Sequence, residues 1–177
     1  MKRGEKMILG SELEKFEVVD SLGEEVGKVK DVIVDTTKKE WKIKEIIVSK
    51  GILKGEAVFS FNDIVKFEEE EKSISLKEGT KLQDFDEEKL THTYLSMDAV
   101  KDRDIFSSDK EEIGKIFDYV VADTLTPWQV IKILIRPHEH FLTGRRIRLD
   151  VENISKIKDV IIVHLSKTEL EKKAIKE

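Results

Sequence analysis

Hydrophobic and polar residues alternate along this chain in short runs, and turn residues break the runs at intervals of roughly 8 to 12 residues, the rhythm of small β-strands. Val26 to Asp35 and Trp41 to Val48 are rich in β-branched residues and are separated by the polar stretch Thr36-Thr37-Lys38-Lys39-Glu40. They read as a central strand pair. Ile8 to Leu13 reads as a short strand running into one helical turn, with Ser11 as its candidate cap. Asp20-Ser21-Leu22-Gly23 is a turn, because Asp and Ser bond back to nearby backbone and Gly accepts a positive φ. Gly51 and Gly55 bracket the next turn. Ala57 to Phe61 is a strand, Asn62-Asp63-Ile64 a one-turn connector, and Val65 to Glu68 with Ser73 to Leu76 a closing pair.

The pattern then starts again. Gly23-Glu24-Glu25-Val26-Gly27-Lys28-Val29-Lys30-Asp31-Val32-Ile33-Val34 returns as Lys110-Glu111-Glu112-Ile113-Gly114-Lys115-Ile116-Phe117-Asp118-Tyr119-Val120-Val121, and Trp41 and Trp128 keep the same register. Tyr94 to Asp98 matches Met7 to Ser11. A longer hairpin, Pro137 to Gly144, interrupts the second copy, and the register resumes at Asn153-Ile154 opposite Asp63-Ile64. A repeat of this length means two copies of one fold unit. The expected organisation is a first unit over 7–77, a linker over 78–93, a second unit over 94–167 and a polar tail over 168–177. The expected class is all-β: two tandem small barrels of about six strands each.

Composition narrows the setting. The chain is 39% hydrophobic and 39% charged, with only two Asn and two Gln, a bias that resembles thermophile proteins. Its net charge of -5 leaves no global electrostatic footprint for nucleic acid. With no cysteine, thiolate nucleophiles, disulfides and Cys-ligated metal centres are excluded. No apolar run approaches the roughly 20 residues of a spanning helix, so a cytoplasmic protein without direct membrane insertion is expected.

The "Gly-Glu-x-(Val/Ile)-Gly-Lys-(Val/Ile)-x-Asp" hairpin, the hydrophobic strand after it and the late "Asp/Asn-Ile" turn resemble the PRC-barrel family. Here they are Gly23 to Asp31, Ile43 to Val48 and Asp63-Ile64, then Glu111 to Asp118, Val130 to Ile135 and Asn153-Ile154. The resemblance implies a small closed barrel that binds partners and has no catalytic residues or cofactor. The family includes the cytoplasmic part of the photosynthetic reaction centre H subunit, the C-terminal domain of the ribosome maturation factor RimM, and archaeal stand-alone proteins. Some of the archaeal ones are adaptors around the SepF membrane anchor in cell division. The chain lacks the transmembrane helix of the first and the preceding barrel of the second, so the tandem archaeal type is the closest. That implies a protein-binding adaptor, homodimeric and recruited to the membrane or division site through a SepF-type partner. The alternative is an RNA- or ribosome-associated factor like RimM.

Several residues invite chemistry. Asp31 and Asp118 sit among apolar strand residues, yet neither has a partner for general acid-base work. They read as local acceptors of backbone N–H bonds, with Gly27 and Gly114 as sites of close backbone approach. Trp41 and Trp128 read as packing. His138-Glu139-His140 has metal-ligand flavour, but His92 and His164 are remote in sequence, and no metal is assigned. Arg136, Arg145, Arg146 and Arg148 form the best anion site, for a carboxylate of a partner or of the acidic run Glu68 to Glu71; direct nucleic-acid binding is not expected. Where the first copy has Lys30, Val32 and Lys44, the second has Phe117, Tyr119 and Ile131. Charged-to-apolar replacement is what a solvent face undergoes when something covers it, so these three are the expected interface, against the first copy or in a homodimer.

Overall fold

In the computed structural model, residues 6–51, 53–91, 93–124, 126–141 and 144–176 are described. The first copy supplies β1 (Met7–Leu9), β2 (Glu17–Val19), β3 (Glu25–Asp35), β4 (Trp41–Ser49), β5 (Glu56–Ser60), β6 (Ile64–Glu68), β7 (Ser73–Leu76) and β8 (Gln83–Asp84). The second supplies β9 (Tyr94–Ser96), β10 (Ile105–Phe106), β11 (Glu112–Ala122), β12 (Gln129–Pro137), β13 (Arg145–Asp150), β14 (Ile154–Ile157), β15 (Ile161–Val163) and β16 (Ala174–Lys176). Three short helices, α1 (Gly10–Leu13), α2 (Met97–Lys101) and α3 (Lys167–Lys173), complete an all-β fold. None is long and apolar enough to cross a membrane.

All the strands join one sheet, along the path β14-β15-β10-β11-β12-β4-β3-β2-β7-β6. The long hairpins β3–β4 and β11–β12 lie at its centre, as their β-branched composition favours. Among the described residues each copy holds eight strands where about six are expected, because the short strands Glu17–Val19 and Ile105–Phe106 are paired and so are the segments read as linker and tail. The stretch read as a linker contains β8, hydrogen-bonded to β5 with Val58 opposite Gln83. The stretch read as a tail contains α3, capped by the reciprocal Ser166–Glu169 box, and then β16, paired with β13. The two segments are equivalent pieces of the repeat.

The copies are interlocked. β1 of the first copy adds to β11 of the second, with Ile8 opposite Val121, and β9 of the second adds to β3 of the first, with Leu95 opposite Val34. The copies also meet edge to edge. Lys42 pairs with Gln129, each the residue after its copy's tryptophan, and the Ile43 N–H donates to the Trp128 carbonyl at 2.8 Å. Lys42 facing its own counterpart across an antiparallel pair marks a pseudo-two-fold axis.

One hydrophobic core crosses that axis, including Ile8, Phe16, Trp41 and Phe59 from the first copy and Leu95, Tyr119, Trp128 and Val163 from the second. Trp128 lies against Phe61 at 5.4 Å and edge-on to Phe67 at 4.6 Å, and Phe67 stacks on Phe16 at 4.6 Å. Burying Ile8 and Leu95 in the other copy contributes about 1.5–3 kcal/mol each, so exchange is favoured over leaving either strand in water.

Candidate functional site

The two buried aspartates of the hairpin motif hold the exchange in place. Asp118 Oδ1 accepts from the Tyr119 N–H at 2.8 Å and the Ser11 N–H at 3.1 Å, and its Oδ2 accepts from the Ser11 hydroxyl at 2.5 Å. Asp31 Oδ1 accepts from the Val32 N–H and its Oδ2 from the Asp98 N–H, both at 2.8 Å. Each carboxylate thus holds the first turn of the other copy's helix, where unpaired N–H groups need an acceptor. Burial pushes the Asp31 carboxyl up to about 7, against the opposing pull of its N–H donors. Gly27 and Gly114 let the neighbouring strand pass close: a Cβ would lie 2.3 Å from the Ser49 carbonyl oxygen and 2.2 Å from that of Arg136.

The residues that differ between the copies separate into two groups. Tyr119 is fully buried, and its ring fills the space above Gly10, where a Cβ would come within 2.4 Å of it. Phe117 and Ile131 lie instead on the outward face of the sheet. Phe117 is the extra residue of a bulge between Ile116 and Asp118 and is 38% exposed. Arg136 and Arg146 lie over its ring, each 5.3 Å from the centroid. Ile131 occupies a second bulge between Val120 and Val121 and is half-buried.

Arg148 points outward opposite Leu134, and Arg145 lies further along β13, paired with Lys176. Three of the four arginines, Arg136, Arg146 and Arg148, therefore rim one face around Phe117. The acidic run supplies them no carboxylate among the described residues: Glu68 pairs with Lys66, and Glu69 with Lys6 at 2.9 Å.

His138 does not combine with His140 as ligands; the two rings stack at 5.4 Å. His138 Nε2 lies 3.0 Å from Glu112 Oε1, an ion pair by distance without the alignment of a hydrogen bond. Asp104 completes a half-buried group of three that could hold a cation, but Lys115 lies 3.6 Å from the same carboxylate. The rest of that loop, Leu142 and Thr143, and also His92, lie outside the described residues.

The outward face carries an apolar cover in the first copy and, among the described residues, no matching one in the second, although Val120 there is buried. In the first copy Ile33, Ile47 and Val58 form a second, small core beneath Phe85 and Leu90. Those two side chains come from the segment Asp84-Phe85-Asp86-Glu87-Glu88-Lys89-Leu90, read above as linker. In the second copy the matching positions hold Val120, Leu134 and Arg148. The residue matching Phe85 is Ile175, left 56% exposed. Beside Phe117, a shallow cavity of about 340 Å³ is lined by Lys115, Arg136, Pro137 and His138 among others. The sequence signal for the cover was an aromatic and a leucine inside an otherwise acidic run.

Residues 5–90 match the family model of the PRC-barrel domain. No curated protein matches the chain.

Proposed function

The first half of this chain is a PRC-barrel domain, commonly a protein-interaction module and generally non-catalytic, and from that premise we propose a non-enzymatic adaptor that docks a partner protein. The observation that carries this reading is the half-exposed Phe117 held between two guanidinium groups on the outward sheet face. An aromatic anchor with arginines around it is the composition of binding hot spots. The buried carboxylates that invite catalysis are engaged in holding the first turns of helices.

The setting we propose is archaeal cell division, with a SepF-type membrane anchor as the docked partner; it follows from the resemblance of the tandem repeat. Self-association of whole chains is the competing use of the face that carries Phe117 and Ile131. The second reading, an RNA- or ribosome-associated factor, is favoured by Arg136, Arg145, Arg146 and Arg148 on neighbouring strands. An affinity pull-down from native lysate separates the two. Division proteins retained at moderate salt support the adaptor. Ribosomal particles or RNA, lost steeply as salt rises, overturn it.

A further inference from the structure

The first copy displays a ligand of its own sheet, and the second copy displays the matching surface with none among the described residues. In the first, the segment from Asp84 to Leu90 continues from β8, crosses the outward face and sets Phe85 and Leu90 onto Ile33, Ile47 and Val58. The Phe85 N–H donates to the Glu56 carbonyl at 3.0 Å, so the segment is held by backbone as well as by side chains. Between its two anchors it is acidic: Asp86, Glu87 and Glu88 all point to solvent.

The second copy keeps two of the three floor positions apolar, with Val120 buried and Leu134 half-buried, places Arg148 at the third and adds Phe117, 38% exposed, beside them. The rim is changed in one direction only. Ser49, Glu56 and Val58 of the first copy are Arg136, Arg146 and Arg148 in the second, and Lys30, which pairs with Glu56, is Phe117. Among the described residues, neither Arg136 nor Arg148 has a carboxylate within ion-pairing distance. Two exposed cations, Arg136 and Arg148, beside an apolar strip complement an acidic chain with apolar anchors. A nucleic acid would meet the same charge, but the floor presents one aromatic ring and aliphatic side chains where stacking needs several rings.

We propose that the outward face of the second copy is a docking groove for an extended acidic segment of a partner protein, bearing an aromatic and an aliphatic anchor spaced like Phe85 and Leu90. This rests on the adaptor reading and deepens it, by naming the chemistry of what is docked. The chain's own 83–90 segment is the template, and the arginine rim is the adaptation to a ligand supplied in trans.

The test uses the whole chain and a fluorescent peptide of residues 82–91, Leu-Gln-Asp-Phe-Asp-Glu-Glu-Lys-Leu-Thr. Saturable binding by anisotropy is expected. It weakens about tenfold or more in the double variant Arg136→Glu/Arg148→Glu, and similarly when Phe85 in the peptide is replaced by alanine. Both arginines are exposed, and circular dichroism checks that the variant keeps its fold. No saturable binding, or equal affinity for wild type and variant, overturns the proposal. So does a labelled single-stranded RNA that binds this face while the peptide fails to compete. A wild-type dimer in light scattering that Phe117→Lys dissociates also overturns it, by assigning the face to a second copy of the chain. The adaptor reading fails separately: a partner still retained from lysate by the double variant keeps the adaptor and removes this groove.

Discussion

The two tryptophans occupy equivalent places, yet their surroundings differ. Trp128 packs against Phe61 and Phe67 of the first copy, whereas Trp41 lines a groove of about 410 Å³ together with Val151 and Ile157 of the second. The same positions of the repeat thus make a dense aromatic joint on one side of the pseudo-two-fold axis and a looser one on the other. Symmetry of backbone does not require symmetry of packing; what is conserved across the axis is the exchange itself. Both tryptophans are buried, so Trp128→Ala and Trp41→Ala are each expected to cost about 3–5 kcal/mol in urea unfolding, with Trp128→Ala the larger because it also removes the ring contacts to Phe61 and Phe67. Equal losses would break the comparison.

A second pair of sites shows volume moved from one side to the other. The first copy's helix brings Gly10 beneath Tyr119, and the matching places on the other side hold Met97 and Val32, both fully buried. Small against large faces large against small. Gly10→Ala should cost about 1–3 kcal/mol, because its Cβ would meet the tyrosine ring, and adding Tyr119→Val should restore part of that loss. If the double variant is simply additive, the two residues are not packing partners.

Asp31 gives the comparison a pH axis. Its folded value, about 7, lies above the ordinary 3.8, so the folded state binds the proton more tightly. The associated stability is fully present below 3.8 and is lost as pH rises through about 7. Unfolding free energy should fall between pH 5 and pH 8 by an amount on the order of 1–3 kcal/mol, and Asp31→Asn should flatten that slope. Burial also raises the Glu14, Glu45 and Asp123 carboxyls and adds slope of the same sign at the acid end. An unchanged slope in the Asn variant would show that the carboxylate stays ionised at the joint.

The smallest effects on stability belong to the outward face. Phe117→Lys should change unfolding free energy by only about 0.5 kcal/mol, since the residue already meets water, while its effect on binding of the acidic peptide is large. Loss of several kcal/mol would place Phe117 in the core of the fold.

Much of this was legible in the chain. The repeat and the central hairpins follow from alternation and turn residues; Asp31 and Asp118 read as locally satisfied, but beside the neighbouring N–H each also accepts from the other copy's helix. The partner of each short lead strand was not legible, because Ile8 and Leu95 can cover either copy's long strand with the same backbone bonds; only tertiary geometry chooses. The covering role of Phe85 and Leu90 was masked by the acidic residues between them, which read as solvated linker. The arginines around Phe117 could be grouped from spacing, but which of them share a face depends on two bulges that the sequence does not announce.

The exchange of lead strands is the central claim, and a cysteine-free chain allows a direct test. Paired substitutions Met7→Cys and Ala122→Cys place thiols at residues that face each other across β1 and β11, and Tyr94→Cys with Asp35→Cys does the same across β9 and β3. Mild oxidation followed by non-reducing electrophoresis and peptide mapping should give an intrachain crosslink in both pairs, with the protein remaining a monomer by mass. A crosslink forming instead between Met7→Cys and Asp35→Cys, within one copy, or a covalent dimer from the Met7→Cys and Ala122→Cys pair, would contradict it.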